Sequence, residues 1–198
     1  MRGLSPGFAA PVRDSQAAFR ALLDAMARPG TIVVPRAPPA PPSPLPPAMA
    51  AVALVLVDRD TPLWIDAGQD GGEAVEWIRF HCGCRLVPQP EEAAFVFVTC
   101  PQRMPAHARL RAGTDEYPDT SATLVVSVDA LGSGEVLRLT GPGIDGATTL
   151  RVGGLPDRFV AERAENHRLF PRGVDAILVA GERLAALPRS TAVVRQGS

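Results

Sequence analysis

The chain has 198 residues, 46% of them hydrophobic and 21% charged, with a formal net charge of −1. That length and hydrophobic content predict one domain over 1–198 with a buried core, and the charge balance excludes a general nucleic-acid or membrane-surface binder. All 20 basic residues are Arg. Without Lys the chain can form neither a pyridoxal-phosphate Schiff base nor a Walker-type phosphate loop, whereas Arg recognises phosphate and carboxylate bidentately.

In chain order, Asp14 or Ser15 is placed to cap a helix with Ala18, Leu22, Ala25 and Met26 on one face, and Phe19 and Leu23 widen that stripe. Pro29-Gly30 stops it. The β-branched Thr31 to Val34 reads as a short strand, and the proline-dense Pro35 to Pro47 as a stiff, extended connector. Met49 to Val57 is read as a buried helix, Pro62 to Asp66 as a strand, and Gly72 to His81 as an amphipathic helix with Val75, Trp77 and Ile78 inward. Ala94 to Thr99 and Ala122 to Val128 are β-branched or aromatic strands. Glu135 to Thr140 and Thr148 to Val152 pair around a glycine-rich loop, and Pro156 to Glu165 is a helix. In Phe170 to Thr191 a Pro-Arg-Gly turn delivers Asp175 to an apolar run. The Gly181-Glu182 joint then leads to a second run ending at Pro188 and Arg189, a strand-turn-strand unit. Interleaved helices and strands predict an α/β protein, a three-layer α/β/α sandwich with a mixed sheet.

Several constellations invite a chemical reading, and each has a blander one. Gly141 to Gly146 matches G-x-G-x-x-G, but a strand follows where the dinucleotide fingerprint needs a helix, so a glycine-rich loop between strands is the better account. His81, Cys82 and Cys84, with Cys100, His107 or His167, offer only one close Cys pair where zinc needs three or four convergent ligands. No metal is assigned, and the cysteines read as small buried hydrophobes. Cys82 beside His81 or His167 lacks the setting of a thiol nucleophile, and Ser121, Ser127 and Ser133 lack a nucleophile elbow. Asp58-Arg59-Asp60 reads as a solvated loop. None of these supplies a self-contained active site.

The odd cysteine count of 3 argues against a disulfide framework and suits a reducing compartment. The stretch after Arg2 is interrupted by Pro6 and Pro11, unlike a signal peptide, and the apolar run Ala48 to Val57 is too short to span a bilayer. The expectation is a cytoplasmic protein. The remaining chemistry lies with the arginines: Arg172 in the final turn, Arg189 after the last strand, Arg79 beside His81, and Arg20 on the first helix. Converging, they would make an anion site for phosphate or phosphonate groups.

The blocks Arg13 to Gly30, Asp58 to Trp64, Ile78 to Val87, Leu137 to Ile144 and Phe170 to Thr191 resemble, in order and separation, the PhnH family of the bacterial carbon–phosphorus lyase system. The resemblance covers most of the chain. It implies an assembly with PhnG, PhnI and PhnJ subunits. There, PhnH with PhnG and PhnI supports attack of an alkylphosphonate on C1′ of ATP and displaces adenine. The product is a ribose 1-phosphonate 5-triphosphate, cleaved later by a radical iron–sulfur partner. It implies a homodimer, and a fold like the large domain of pyridoxal-phosphate-dependent transferases without the cofactor site. It carries no assigned catalytic residues onto this chain. Cys82 and Cys84, and the density of proline over Pro35 to Pro47, depart from the family's usual pattern.

The expectation is therefore an accessory, non-catalytic subunit binding no cofactor of its own. Asp14, Arg20, Asp175, Glu182 and Arg189 are candidates for interface or ligand-orienting roles, and Arg79, His81 and Arg172 for ligand contact. The competing expectation is a self-sufficient small-molecule or nucleotide-binding enzyme with an arginine-lined anion site.

Overall fold

The first helix, α1 (Pro11–Ala27), begins earlier than its expected caps. Pro11 occupies the first helical position, where a missing N–H costs nothing. Asp14 lies inside the first turn and reaches back, Oδ2 accepting the Ala10 N–H at 2.9 Å. The computed structural model describes residues 4–38, 40–66 and 72–196, so Arg2 and Pro39 of the sequence reading lie outside the described residues. Ala18, Leu22 and Ala25 form the buried stripe of α1, but Phe19 and Leu23 are 43% and 52% exposed. Small residues let α1 lie close to its neighbours, leaving no room inside for the wider stripe expected.

The Thr31 to Val34 strand reduces to one bridge, Val33 exchanging both backbone hydrogen bonds with Leu184 at 2.9 Å. Pro35, which has no N–H, ends the pairing at once. The proline-rich stretch carries no helix or strand among its described residues as far as Pro46, Leu45 anchors it in the core, and Pro47, expected to end the connector, already opens a helix. Helix α2 (Pro47–Leu56) is buried through most of its length. The chain continues with β1 (Leu63–Ile65), α3 (Gly72–Cys82), β2 (Phe95–Val98) and β3 (Thr123–Ser127). Trp77 of α3 is wholly buried, its Nε1–H donating to the Ser5 carbonyl at 2.8 Å.

After β3 come β4 (Ala130–Thr140), β5 (Thr148–Gly153), α4 (Phe159–Arg168), β6 (Asp175–Ala180), β7 (Arg183–Leu187) and β8 (Ala192–Arg195). The main sheet has the order β1-β2-β3-β6-β7; its first four strands are parallel and β7 runs antiparallel to β6. This is the mixed sheet expected. Strand β8 was not anticipated; it pairs with β4 to make a three-stranded antiparallel sheet, β5-β4-β8.

Side chains alternate across the main sheet, as a period of two requires. Phe97, Val125, Ile177 and Ala186 meet α1, α2 and α3 on one face. Val96, Leu124, Leu178 and Leu187 meet Leu137, Leu150 and Val193 of the small sheet and Phe159 of α4 on the other. The second face is thus covered by a sheet and one helix, where a full helical layer was expected. Strands β4 and β5 are long, alternating and joined by a loop too short for a crossover, so they form a second sheet instead of extending the first. Helix α4 starts at Phe159, three residues later than expected, because Pro156 opens a turn closed by the Phe159 N–H at 2.9 Å.

Candidate functional site

Asp175 is the first residue of β6, and Arg189 follows β7, so the hairpin brings them to the same end of the sheet. Asp175 Oδ1 accepts the Arg189 backbone N–H at 2.7 Å and its Nε–H at 3.2 Å, while Oδ2 accepts Nη2 at 2.6 Å. Arg189 Nη1 donates to the Pro118 carbonyl of a neighbouring loop. The pair is mostly buried, with side chains 17% and 14% exposed for Arg189 and Asp175. Bidentate geometry of this kind fixes orientation as well as charge.

Behind this pair lies Arg163 of α4, fully buried. It donates to the carbonyls of Val174 at 2.6 Å, Leu187 at 3.0 Å and Pro188 at 2.7 Å, closing the ends of β6 and β7 onto α4. Burial lowers its pKa to about 10, with Arg189 acting in the same direction and Asp175 against it; the group remains a cation at neutral pH. Asn166, one turn on, holds the Val174 backbone at both ends, accepting its N–H at 2.7 Å and donating to its carbonyl at 3.0 Å. Gly173 is required beside it, for φ is +121° and a Cβ would lie 3.0 Å from Asn166 Oδ1. An open cleft of about 420 Å³ adjoins the pair, lined by Pro118, Phe170, Pro171, Pro188 and Arg189 among others. Phe170, largely exposed, stands at its edge.

Arg163 and Asn166 were missed in the sequence. The available signal was the spacing Phe159, Arg163, Asn166, which places two polar residues on the buried face of a helix with few apolar residues. At the opposite end of the parallel strands, Asp66 was also missed. Its carboxylate accepts the Thr99 N–H at 2.9 Å, the Thr99 hydroxyl at 2.7 Å and the Cys100 N–H at 2.9 Å, with Arg103 3.3 Å away. It ties β1 to β2.

Of the residues singled out from sequence, the structure brings together Asp175 and Arg189. Arg172 pairs with Asp115 at 3.1 Å. Asp14 lies at the start of α1, 3.8 Å from Arg36, and Arg20 is exposed farther along that helix. Arg79 is exposed on α3; His81, on the same helix, lies against Trp77 and meets the Ser5 carbonyl through Nε2 at 3.1 Å. Glu182 sits in the β6–β7 turn, at the other end of the hairpin from Asp175.

The G-x-G-x-x-G match lies in the β4–β5 connection, as its strand context implied. Gly143 answers to packing, since its φ is +80° and a Cβ there would lie 2.1 Å from the Ala27 carbonyl at the end of α1, whereas Gly146 has open space around it and answers to its φ of +66°. Cys82 and Cys84 pack with the core beneath α2 and α3, and burial pushes the Cys82 thiol up to about 12 and raises Cys84 as well. Among the described residues no three His, Cys, Asp or Glu side chains are grouped as metal ligands. Nor, among the described residues, is any helix long and apolar enough to cross a membrane.

These features define a mixed α/β protein whose buried charged groups lock the ends of its sheet. The chain belongs to the family of bacterial phosphonate metabolism proteins, PhnH, which it matches over residues 6–194. It is 42% identical over 195 residues, covering 97% of this chain and 96% of the relative, to the alpha-D-ribose 1-methylphosphonate 5-triphosphate synthase subunit PhnH of Rhizobium meliloti (strain 1021). It is also 41% identical over 108 residues, 54% of each chain, to a putative C-P lyase subunit protein, HtxG, of Stutzerimonas stutzeri.

Proposed function

We propose that this chain is the PhnH subunit of a ribose 1-methylphosphonate 5-triphosphate synthase, acting in carbon–phosphorus lyase catabolism of organic phosphonates. The observation that carries this is the 42% identity to the Rhizobium subunit across 97% of this chain and 96% of that protein. Family resemblance at that level and length supports a shared assembly as well as a shared fold.

In this reading the chain is one cytoplasmic PhnH-like domain that contributes no complete active site. It works as a homodimer docked on PhnG, PhnI and PhnJ subunits, with ATP and an alkylphosphonate as substrates of the complex. Its β1-β2-β3-β6 ladder would be the counterpart of the large domain of pyridoxal-phosphate-dependent transferases; this chain has no lysine to hold that cofactor. Two surfaces support a docking role. Val12, Phe19 and Leu23 stand 89%, 43% and 52% exposed along the outer side of α1, at helical spacing. Phe170 borders the cleft beside Arg189. That arginine is held by Asp175 and Pro118, which supports a positioning role for it over direct capture of a free anion.

A bacterium deleted for its own PhnH subunit but retaining the others supplies the test. Expression of this chain is expected to restore growth on methylphosphonate as sole phosphorus source. Folded, expressed protein that fails to restore growth, or to co-elute with the other subunits, would overturn the proposal.

A further inference from the structure

Helix α1 carries more apolar surface than its own core covers. Ala18, Leu22 and Ala25 are buried against the domain, and Met26 lies half-buried beside them. Val12, Gln16, Phe19 and Leu23 recur at intervals of four, three and four residues along the next strip of the helix, and all four are exposed. With 3.6 residues per turn this spacing keeps them in one line, which runs on into Met26. A strip of this period is the seam by which one helix packs against another. Here it faces solvent.

One flank of the seam is cationic. Arg13 and Arg20 directly follow Val12 and Phe19, so they lie seven residues apart on the same side, and both are exposed. Among the described residues the ion pairs of α1 are Asp24 with Arg28 at 3.2 Å and Asp14 with Arg36 at 3.8 Å. Both acidic residues of the helix are thus engaged by other arginines. The flank offers guanidinium groups alone, and on the opposite flank Ser15 and Leu22 carry no charge.

These charges select the occupant. Two copies of α1 paired antiparallel about a two-fold axis would set Val12 against Leu23 and Gln16 against Phe19. The same register brings Arg13 of one copy beside Arg20 of the other, where like charges repel. Parallel pairing sets the arginines against Ser15 and Leu22, which have no carboxylate to offer. We propose that the outer face of α1 docks an amphipathic helix of another protein, with apolar residues at the same spacing and carboxylates seven residues apart that pair with Arg13 and Arg20. This rests on the reading of the chain as a subunit, since the other subunits of the assembly are where such a helix is to be sought. Exposed ion pairs of this kind add little affinity but set partner choice and speed of encounter, so the apolar seam supplies the binding energy.

Binding of the full chain to the purified remaining subunits tests this, with each variant checked for an unchanged melting temperature. Phe19→Gln with Leu23→Gln is expected to weaken binding by about thirtyfold, from the loss of two apolar side chains buried in the complex. Arg13→Glu with Arg20→Glu should slow association about tenfold at low salt, with the difference closing at high salt, and Arg13→Lys with Arg20→Lys should keep most of the wild-type rate. A photo-cross-linking residue at position 12 should map to an acidic helical segment of one subunit. Wild-type binding by the Gln or the Glu double variant would overturn this proposal and leave the subunit assignment standing. So would cross-links from position 12 to α1 of a second copy. Failure of the wild-type chain itself to bind the subunits would overturn both.

Discussion

Arg189 gives three of its N–H groups to one carboxylate, counting its backbone amide, so removing the side chain takes two of those donors and the paired cation from a mostly buried Asp175. Arg189→Ala is expected to destabilise the fold by about 2–4 kcal/mol, the cost of an unpaired, partly desolvated carboxylate and of a lost bond to Pro118. Arg168→Ala breaks an ion pair that is 70% and 71% exposed and should cost no more than about 0.5 kcal/mol. Chemical denaturation of the two variants gives the comparison; equal losses would mean that the pair is not a brace. Asp175 and Arg189 were legible because turn chemistry placed both where strands begin and end. Arg163 was not, since its burial depends on where α4 meets β6 and β7. Asp66 escaped for the same reason: its partners Thr99 and Cys100 lie 33 and 34 residues away.

Elements with a strong apolar signal were found where expected, including α2, β2, β3, β6 and β7. Elements that depend on a partner were missed or misjudged. β8 needs β4 beside it, and the Thr31 to Val34 segment supports a single bridge because Pro35 follows. The β4–β5 loop shows how packing decides the meaning of a motif. Gly143→Ala is expected to destabilise by at least ~2 kcal/mol, from its left-handed φ and its collision with Ala27, without altering nucleotide affinity. Thermal unfolding with ATP present and absent separates those effects; an ATP-dependent difference would restore the phosphate-loop reading.

The His107–Glu162 contact joins the His107–Arg109 turn to α4 and gives the fold a pH dependence. The folded state holds His107 below its ordinary value of 6.5, so on acidification the unfolded chain binds the proton first. This contribution to stability is complete above about pH 6.5 and declines as pH falls toward the folded-state value. Glu162, also lowered, adds loss in the same direction below its ordinary 4.5. Arg163 and Arg158 are the cations acting on His107. Urea midpoints should therefore fall between pH 7.5 and 5.5, and His107→Gln should flatten that slope. An unchanged slope in the variant would assign the pH dependence elsewhere.

At the scale of the whole molecule, composition already argued for a protein with no Schiff-base chemistry of its own, and ordered sequence blocks pointed to the PhnH family. The structure adds the means by which such a chain stays rigid: charges closed on themselves at both ends of a mixed sheet, with apolar residues left exposed on α1. The exposed apolar residues of α1 could not be read from sequence, because exposure along that helix follows from how closely it packs. The central claim is that this chain acts only as part of an assembly. Adenine release from ATP in the presence of methylphosphonate tests it most directly. The purified chain alone is predicted to release none, and release is predicted when it is combined with PhnG and PhnI subunits. Adenine release by the chain alone would contradict the account.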